Sequence, residues 1–335
     1  MFISGLFVGL LLGFILQRGQ FCLSAQLRNI AFQPNLVSFT PLLLAIAIQS
    51  IGFFLLEHFH LITFPRSPMP ILATLLGAFL FGVGMAIAHR CITGQLYRAG
   101  EGLISSWLVL AIFALTTTMC QTGPLKFSIN TLLISPHSQL VTLPQSFALS
   151  PLFFIIPLCL LSLFACYHYQ KTQKKPFFPK QILQQTWSPL FTATLLGLLS
   201  ILAWYLSAKT GREFGLSFSI PLANSLQYAT TGQQRYLNWG TYLVIGIIIG
   251  SAIAAWLSGK CLWRAPSPQG YLQAIIGGVC MGIGASLAGG CTMANTVVAT
   301  AYFSWQGWIA SLMMIIGLIC VERCKQRFFT LHKQQ

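Results

Sequence analysis

The sequence predicts an all-α polytopic membrane protein: about nine transmembrane helices plus re-entrant half-helices, arranged in two inverted repeats. Three observations predict it. First, of 335 residues 55% are hydrophobic and only 7% charged, where a soluble domain carries about 25% charged residues. Second, apolar runs of about 17–21 residues, the length of a bilayer core, recur along the whole chain. Third, the polar, glycine-rich breaks between some of these runs are repeated in the two halves.

Composition fixes the solvent before any motif is read. A soluble chain of this length could bury a large core but would still need a charged surface. The acids are only Glu57, Glu101, Glu213 and Glu322, so most of the surface must face lipid. The formal charge is +15. Its Lys and Arg residues sit singly or in short clusters between apolar runs, which is the membrane pattern and not that of a nucleic-acid binder.

The predicted spans are roughly 1–17, 38–56, 70–88, 103–123, 147–167, 188–208, 237–257, 271–289 and 303–321, together one transmembrane transporter domain over 1–335. The first run lacks a basic leader and a small-residue cleavage site, so it reads as a mature span and not a signal peptide. Excess Lys and Arg mark cytoplasmic loops. With the N-terminus outside, the segments after odd-numbered spans hold Arg18, Arg28, Arg90, Arg98, Lys171, Lys174, Lys175, Lys180, Lys260, Arg264, Arg323, Lys325, Arg327 and Lys333, fourteen of the nineteen basic residues. The other side holds Arg66, Lys126, Lys209, Arg212 and Arg235. The expectation is a multi-pass protein of the cell (inner) membrane, N-terminus outside and C-terminus cytoplasmic.

Four stretches are too polar or glycine-rich for lipid-facing helix: Arg18–Asn29, Arg90–Gly102, Gly211–Tyr228 and Gly289–Thr300. Irregular backbone at membrane depth is tolerated only where protein or a water-filled cavity surrounds it, so these read as inward-facing re-entrant segments. They form two pairs. Gly77, Gly82, Gly84, Ala88 and Cys91 match Gly277, Gly282, Gly284, Ala288 and Cys291 at a constant offset of 200 residues, and Phe21-Cys22-Leu23-Ser24 matches Phe214-Gly215-Leu216-Ser217. The first member of each pair follows an odd-numbered span and the second an even-numbered one. The halves, about 1–125 and 188–321 joined by a basic cytoplasmic loop 168–187, are therefore expected to be inverted, the usual build of a secondary transporter with its site near the midplane. Packing alone explains the glycines; it does not explain a cysteine closing both copies.

Cys22, Cys91 and Cys291 each begin or adjoin a segment that could restart as a half-helix. Such an N-terminus offers free N–H groups and positive partial charge, which suits an anion, and a thiol there adds a soft donor for a terminal sulfur. The plain alternative is a buried small residue, and that is the reading for Cys120, Cys159, Cys166, Cys261, Cys280, Cys320 and Cys324. No CxxC pair occurs among the ten cysteines, so neither a redox motif nor a metal site is expected, and no cofactor. Arg18, Arg90 and Arg98 lie beside the cysteine turns, where a buried Arg could attract a divalent anion or pair with Glu101. Thr93, Gln95, Thr292 and Asn295 are candidate polar lining. Tyr97 reads as an interfacial or packing group.

Arg18-Gly-Gln-Phe-Cys22, Arg90-Cys-Ile-Thr-Gly94 running into Tyr97-Arg-Ala-Gly-Glu-Gly102, and Gly289-Gly-Cys-Thr292 together resemble the YeeE/YedE family of sulfur-compound transporters, in motif order and spacing over nearly the whole chain. The resemblance implies nine spans, re-entrant loops meeting mid-membrane, and inward passage of thiosulfate or a related small sulfur anion. It also implies relay between Cys22, Cys91 and Cys291 by S–H···S hydrogen bonds, and co-operation with a small cytoplasmic sulfurtransferase. His89 departs from the pattern, which leads one to expect a small residue there; it could narrow or titrate the path.

Two other classes compete. A membrane thiol oxidoreductase or sulfurtransferase would use the cysteines covalently, but the sequence offers no paired resolving cysteine and no histidines at ligand spacing within the spans. A structural subunit of a membrane complex needs no such motifs. The expectation is a transporter and not an enzyme.

Overall fold

The computed structural model describes residues 3–32, 36–65, 69–133, 137–138, 141–173, 186–261 and 263–332. The basic residues Arg66, Lys174, Lys175, Lys180 and Lys333 lie outside them. The helices are α1 (Ile3–Gly19), α2 (Leu23–Phe32), α3 (Leu36–His58), α4 (Ile71–Ile87), α5 (Ile92–Gly100), α6 (Ile104–Gln121), α7 (Lys126–Leu133), α8 (Leu143–Ser146), α9 (Leu152–Gln173), α10 (Pro189–Ala208), α11 (Ser219–Thr231), α12 (Trp239–Leu257), α13 (Pro268–Leu287) and α14 (Trp305–His332). Met293–Ala299 forms a short π-helix between α13 and α14. Two residues at Met69–Pro70 pair antiparallel with His137–Ser138.

Nine helical segments among the described residues are long and apolar enough to cross a membrane, and they coincide with the nine expected spans; two, Ile3–Asn29 and Ile71–Gly100, each contain a break. The fifth and ninth spans run past their expected ends, to Gln173 and at least Arg327, and one start shifts. The fifth span begins at Leu152, not 147, because Ala148 adopts a left-handed φ of 51° and Pro151 precedes the first turn. Elsewhere local chemistry sets the starts. Ser188 and Ser267 accept the N–H groups of Phe191 and Gly270 at 3.3 Å, each followed by a proline at the first helical position. Asn238 and Thr241 form a reciprocal capping box on α12.

Helix packing is close because glycines line the crossings. A Cβ at Gly13 of α1 would collide with the Ile247 carbonyl of α12, and one at Gly250 with the Leu10 carbonyl. Such small-residue seams replace the hydrophobic drive that lipid cannot supply. Besides α1 on α12, the main pairs are α3 on α10, α4 on α14, α6 on α13 and α4 on α13. The last pair crosses reciprocally: a Cβ at Gly77 would lie 2.6 Å from the Ala288 nitrogen, and one at Gly277 would lie 3.0 Å from the Ala88 nitrogen. On the outside, α9 presents Leu152, Phe153, Ile156, Leu160, Leu163 and Phe164, a face suited only to lipid or another apolar surface.

Candidate functional site

All four polar stretches fold as expected into a break followed by a short helix. After α1, Gln20 takes a left-handed φ of 47° and α2 restarts at Leu23, directly after Cys22. The breaks after α4 and α13 copy each other. The N–H groups of Ala88 and Ala288 donate to Gly84 and Gly284 at 2.9 Å; His89 and Gly289 turn left-handed at φ 62° and 69°. The carbonyls of Cys91 and Cys291 then accept the N–H groups of Gln95 and Asn295 at 2.9 and 3.0 Å. Position 89 favours a small residue for a backbone reason, since left-handed φ suits glycine best.

The fourth break is looser. The chain runs irregularly from Gly211 to Phe218, which precedes α11. Arg212 holds it there: its Nη1 donates to Ser207 Oγ at 3.1 Å and to the carbonyls of Phe214 and Gly215 at 3.3 and 3.4 Å. Cys22 directly precedes its half-helix, whereas Gly215 lies three residues before Phe218. The match between Phe21-Cys22-Leu23-Ser24 and Phe214–Ser217 is therefore out of step with the helix starts.

Thiols sit where the half-helices face one another. The Cys22 thiol lies 3.1 Å from Ser24 Oγ, against the Cys91 thiol and the amides of Ala25 and Cys91. The Cys91 thiol in turn meets the amides of Gly94 and Ser24. The first turns of α2 and α5 thus close around two sulfurs. Cys291 meets the amides of Met293 and Ala294 from its own half-helix and of Phe218 from the start of α11. All three are buried: Cys22 is 4% exposed, Cys91 0% and Cys291 1%. Free N–H groups aimed at a point between helix ends form a ready anion site. Beside Cys291, Thr292 Oγ1 donates to the thioether of Met85 in α4 at 3.1 Å.

The other expected residues divide. Gln95 and Asn295 act as braces: Gln95 Nε2 donates to the Ala88 carbonyl at 3.1 Å, and Asn295 Nδ2 to those of Ala288 and Gly290 at 3.3 and 3.0 Å. Thr93 is buried in the first turn of α5. The Arg90 side chain runs along α5, past Gly94, to Tyr97 Oη at 3.3 Å. Arg18 is buried at the end of α1, its carbonyl accepting the Trp187 N–H at 3.1 Å, and lines neither of the cavities described next.

Two cavities lie beside the broken turns. One, of about 240 Å³, is lined by Pro65, Met69, Val141, Phe214, Asn295 and Tyr302, all in segments that follow even-numbered spans, and by Gln306 at the start of α14. The other, of about 460 Å³, is lined by Gln20, Arg98, Glu101, Thr186, Lys260 and Arg264, all in segments that follow odd-numbered spans. Successive crossings alternate sides, so the two open at opposite ends of the bundle. The first is uncharged and mostly apolar, with Asn295, Tyr302, Ser304 and Gln306 as its polar side chains; the second is basic.

Sequence reasoning missed Gln17 and Gln20, while the expected pairing of an Arg with Glu101 is found at Arg98. Tyr97 is no interfacial group: it is 0% exposed and sits between Arg90 and Arg98, whose guanidinium lies 5.7 Å from its ring centre. Gln17, Gln20 and Glu101 form a network with Arg98, whose Nη1 pairs with Glu101 at 2.9 Å. The spacing Arg98-x-x-Glu101 puts the two on one helix face and was the available signal.

The thiosulfate transporter TsuA of Escherichia coli is 39% identical over 95% of this chain and 93% of its own length. The thiosulfate transporter TsuA of Spirochaeta thermophila is 28% identical over 94% of this chain and 96% of its own. A probable transporter, YedE of Salmonella typhimurium, is 28% identical over a 97-residue stretch covering 29% of this chain and 24% of its own. The sulphur-transport family profile matches residues 18–320. This multi-pass membrane protein, with its thiols at facing half-helix ends, therefore belongs to the sulphur-transport family and is a transporter of sulfur anions.

Proposed function

We propose that the chain carries thiosulfate inward, from the uncharged cavity to Cys291, past Met85 to Cys91 and Cys22, and out through the basic cavity. The observation that carries this is the pairing of half-helix ends around buried thiols between two cavities at opposite ends of the bundle. Thiosulfate combines charged oxygens, suited to free amides, with a terminal sulfur, suited to a thiol donor. The names of the two full-length relatives support that choice of anion.

The direction follows from charge. The basic cavity lies on the side richest in Lys and Arg, which the positive-inside rule makes cytoplasmic; the N-terminus is then outside and the C-terminus inside an inner membrane. Inverted halves are part of the same reading. The reciprocal crossing of α4 and α13, the matched turns at His89 and Gly289, and the matched braces Gln95 and Asn295 support it. So does the correspondence of α1 on α12 with α10 on α3, and of α4 on α14 with α13 on α6. The three thiols relay the anion through hydrogen bonds, with no covalent step. A small cytoplasmic sulfurtransferase that consumes the anion at the inner mouth would keep the flow inward.

Radiolabelled thiosulfate uptake by the purified chain in liposomes tests this, with sulfate, sulfite and selenate as competitors. Uptake by the chain alone, poorly inhibited by sulfate, is the expected result. No uptake unless another subunit is added would overturn it.

A further inference from the structure

The basic cavity contains one buried carboxylate, and its bonding is complete. Glu101 is 3% exposed. Its Oε1 accepts Gln17 Nε2 at 3.2 Å and Gln20 Nε2 at 2.8 Å, while its Oε2 pairs with Arg98 Nη1 at 2.9 Å. Arg98 Nη2 donates back to Gln20 Oε1 at 2.8 Å, closing a ring of three side chains beside the turn that leads to Cys22. Lys260 and Arg264 complete the lining. The loop that brings them is fixed to the end of α5: the Ile104 N–H donates to the Arg264 carbonyl at 3.2 Å, and the Arg264 N–H to the Gly102 carbonyl at 3.3 Å.

A buried acid is an odd neighbour for a departing anion, since like charges repel and burying a carboxylate is costly. Its effect on Arg98 accounts for it. Three cations around an otherwise empty cavity would hold a divalent anion strongly, and tight holding slows release. Glu101 and Gln20 take one donor each, Nη1 and Nη2, of the guanidinium that would otherwise clamp the anion with two parallel hydrogen bonds. Gln20 and Gln17 lock the carboxylate in that orientation.

We propose that this cavity is a release site for a divalent sulfur oxyanion, and that Glu101 is the positioning residue that keeps its affinity low by engaging Arg98. The proposal rests on the inward transport reading above. Glu101→Gln is the informative variant. The amide oxygen can still accept from Gln17 and Gln20, but the amide nitrogen then faces Arg98, donor against donor, and Arg98 Nη1 is freed for the ligand while Nη2 stays on Gln20.

Two measurements on purified protein test it: equilibrium binding of thiosulfate, and initial uptake rates in liposomes over a range of concentrations. The expected result for Glu101→Gln is binding about tenfold tighter, the order expected from one added charge-assisted hydrogen bond, with KM and Vmax both lowered. The double variant Glu101→Gln/Arg98→Gln, which removes the freed cation, should return affinity and Vmax toward wild type. A merely structural Glu101 would give lower thermal stability and lower Vmax without tighter binding, and that outcome overturns the proposal, as do unchanged KM and Vmax. Wild-type protein that takes up no thiosulfate would sink the transport reading instead. The binding comparison would still decide the release site: tighter binding by the variant supports it, and equal or weaker binding overturns it.

Discussion

Gly94→Ala is a small change with a large expected effect. Gly94 lies in the first turn of α5, beneath the Cys22 thiol. A Cβ added there would stand 2.8 Å from Cys22 Sγ and 3.2 Å from Arg90 Cβ. Ordinary contacts between such atoms are about 3.5–4.0 Å, so the thiol must retreat by up to about 1 Å or the two half-helices must part. Overpacking of this kind costs about 1–3 kcal/mol, although alanine is otherwise the better helix residue by about 1 kcal/mol. The net stability change is therefore small to moderate, while the Cys22–Cys91 contact is lost. Uptake should fall at least about tenfold, the change that 1.4 kcal/mol produces in one step. The assay is thiosulfate uptake in liposomes beside thermal unfolding of the purified protein. The double variant Cys22→Ala/Gly94→Ala removes the collision and should recover the melting temperature of Cys22→Ala. Wild-type uptake by Gly94→Ala with an unchanged melting temperature would refute the packing of α2 on α5 on which the path depends.

Three further predictions follow from particular positions. His89→Gly relieves left-handed backbone strain of about 1 kcal/mol and gives up a contact to Gln273 at 3.3 Å and proximity to Lys325, Arg28 and Glu322. The melting temperature should hold or rise and uptake should persist; lost uptake in a stable protein would make the imidazole part of the path. Replacing Cys120, Cys159, Cys166, Cys261, Cys280, Cys320 and Cys324 together by Ala or Ser should leave substantial uptake, because none adjoins a half-helix turn; complete loss in a well-expressed variant would show the functional set to be wider. Reporter fusions should place the N-terminus outside and the C-terminus in the cytoplasm, and both ends on one side would contradict nine crossings.

How far the sequence carries depends on whether a feature is local or tertiary. The spans were legible because so few charges leave lipid as the only possible solvent. The half-helices were legible because Arg18–Asn29, Arg90–Gly102, Gly211–Tyr228 and Gly289–Thr300 are each too polar to face that lipid. The offset of 200 residues between Cys91 and Cys291 was legible because backbone hydrogen bonds, left-handed turns and close glycine contacts all recur with it. The shorter match at Phe21–Ser24 misled by three residues: Arg212, held by carbonyls it does not adjoin, stretches the segment before α11. The roles of Gln95 and Asn295 were half legible. Their polarity suggested lining, but their bonds go back to the broken helix ends, which only the folded turn reveals. Gln17 and Gln20 gave no signal because their partner Glu101 lies 84 and 81 residues away.

The central claim is that the thiols themselves handle the anion, and substitution of Cys91 tests it most directly. Cys91 touches both half-helices of its pair and the second thiol. Alanine is close to cysteine in size, so expression and folding should stay near normal. The transported anion would lose a donor at its tightest point, worth about 1.5–3 kcal/mol for a hydrogen bond to a charged group, or about 10- to 150-fold in that step. The measurement is thiosulfate uptake into liposomes by Cys91→Ala and Cys91→Ser, each matched to wild type for folded protein. The expected result is negligible uptake for alanine and at most partial uptake for serine, which keeps a donor but a harder one. Full uptake by both variants would contradict the account and reduce the cysteines to packing.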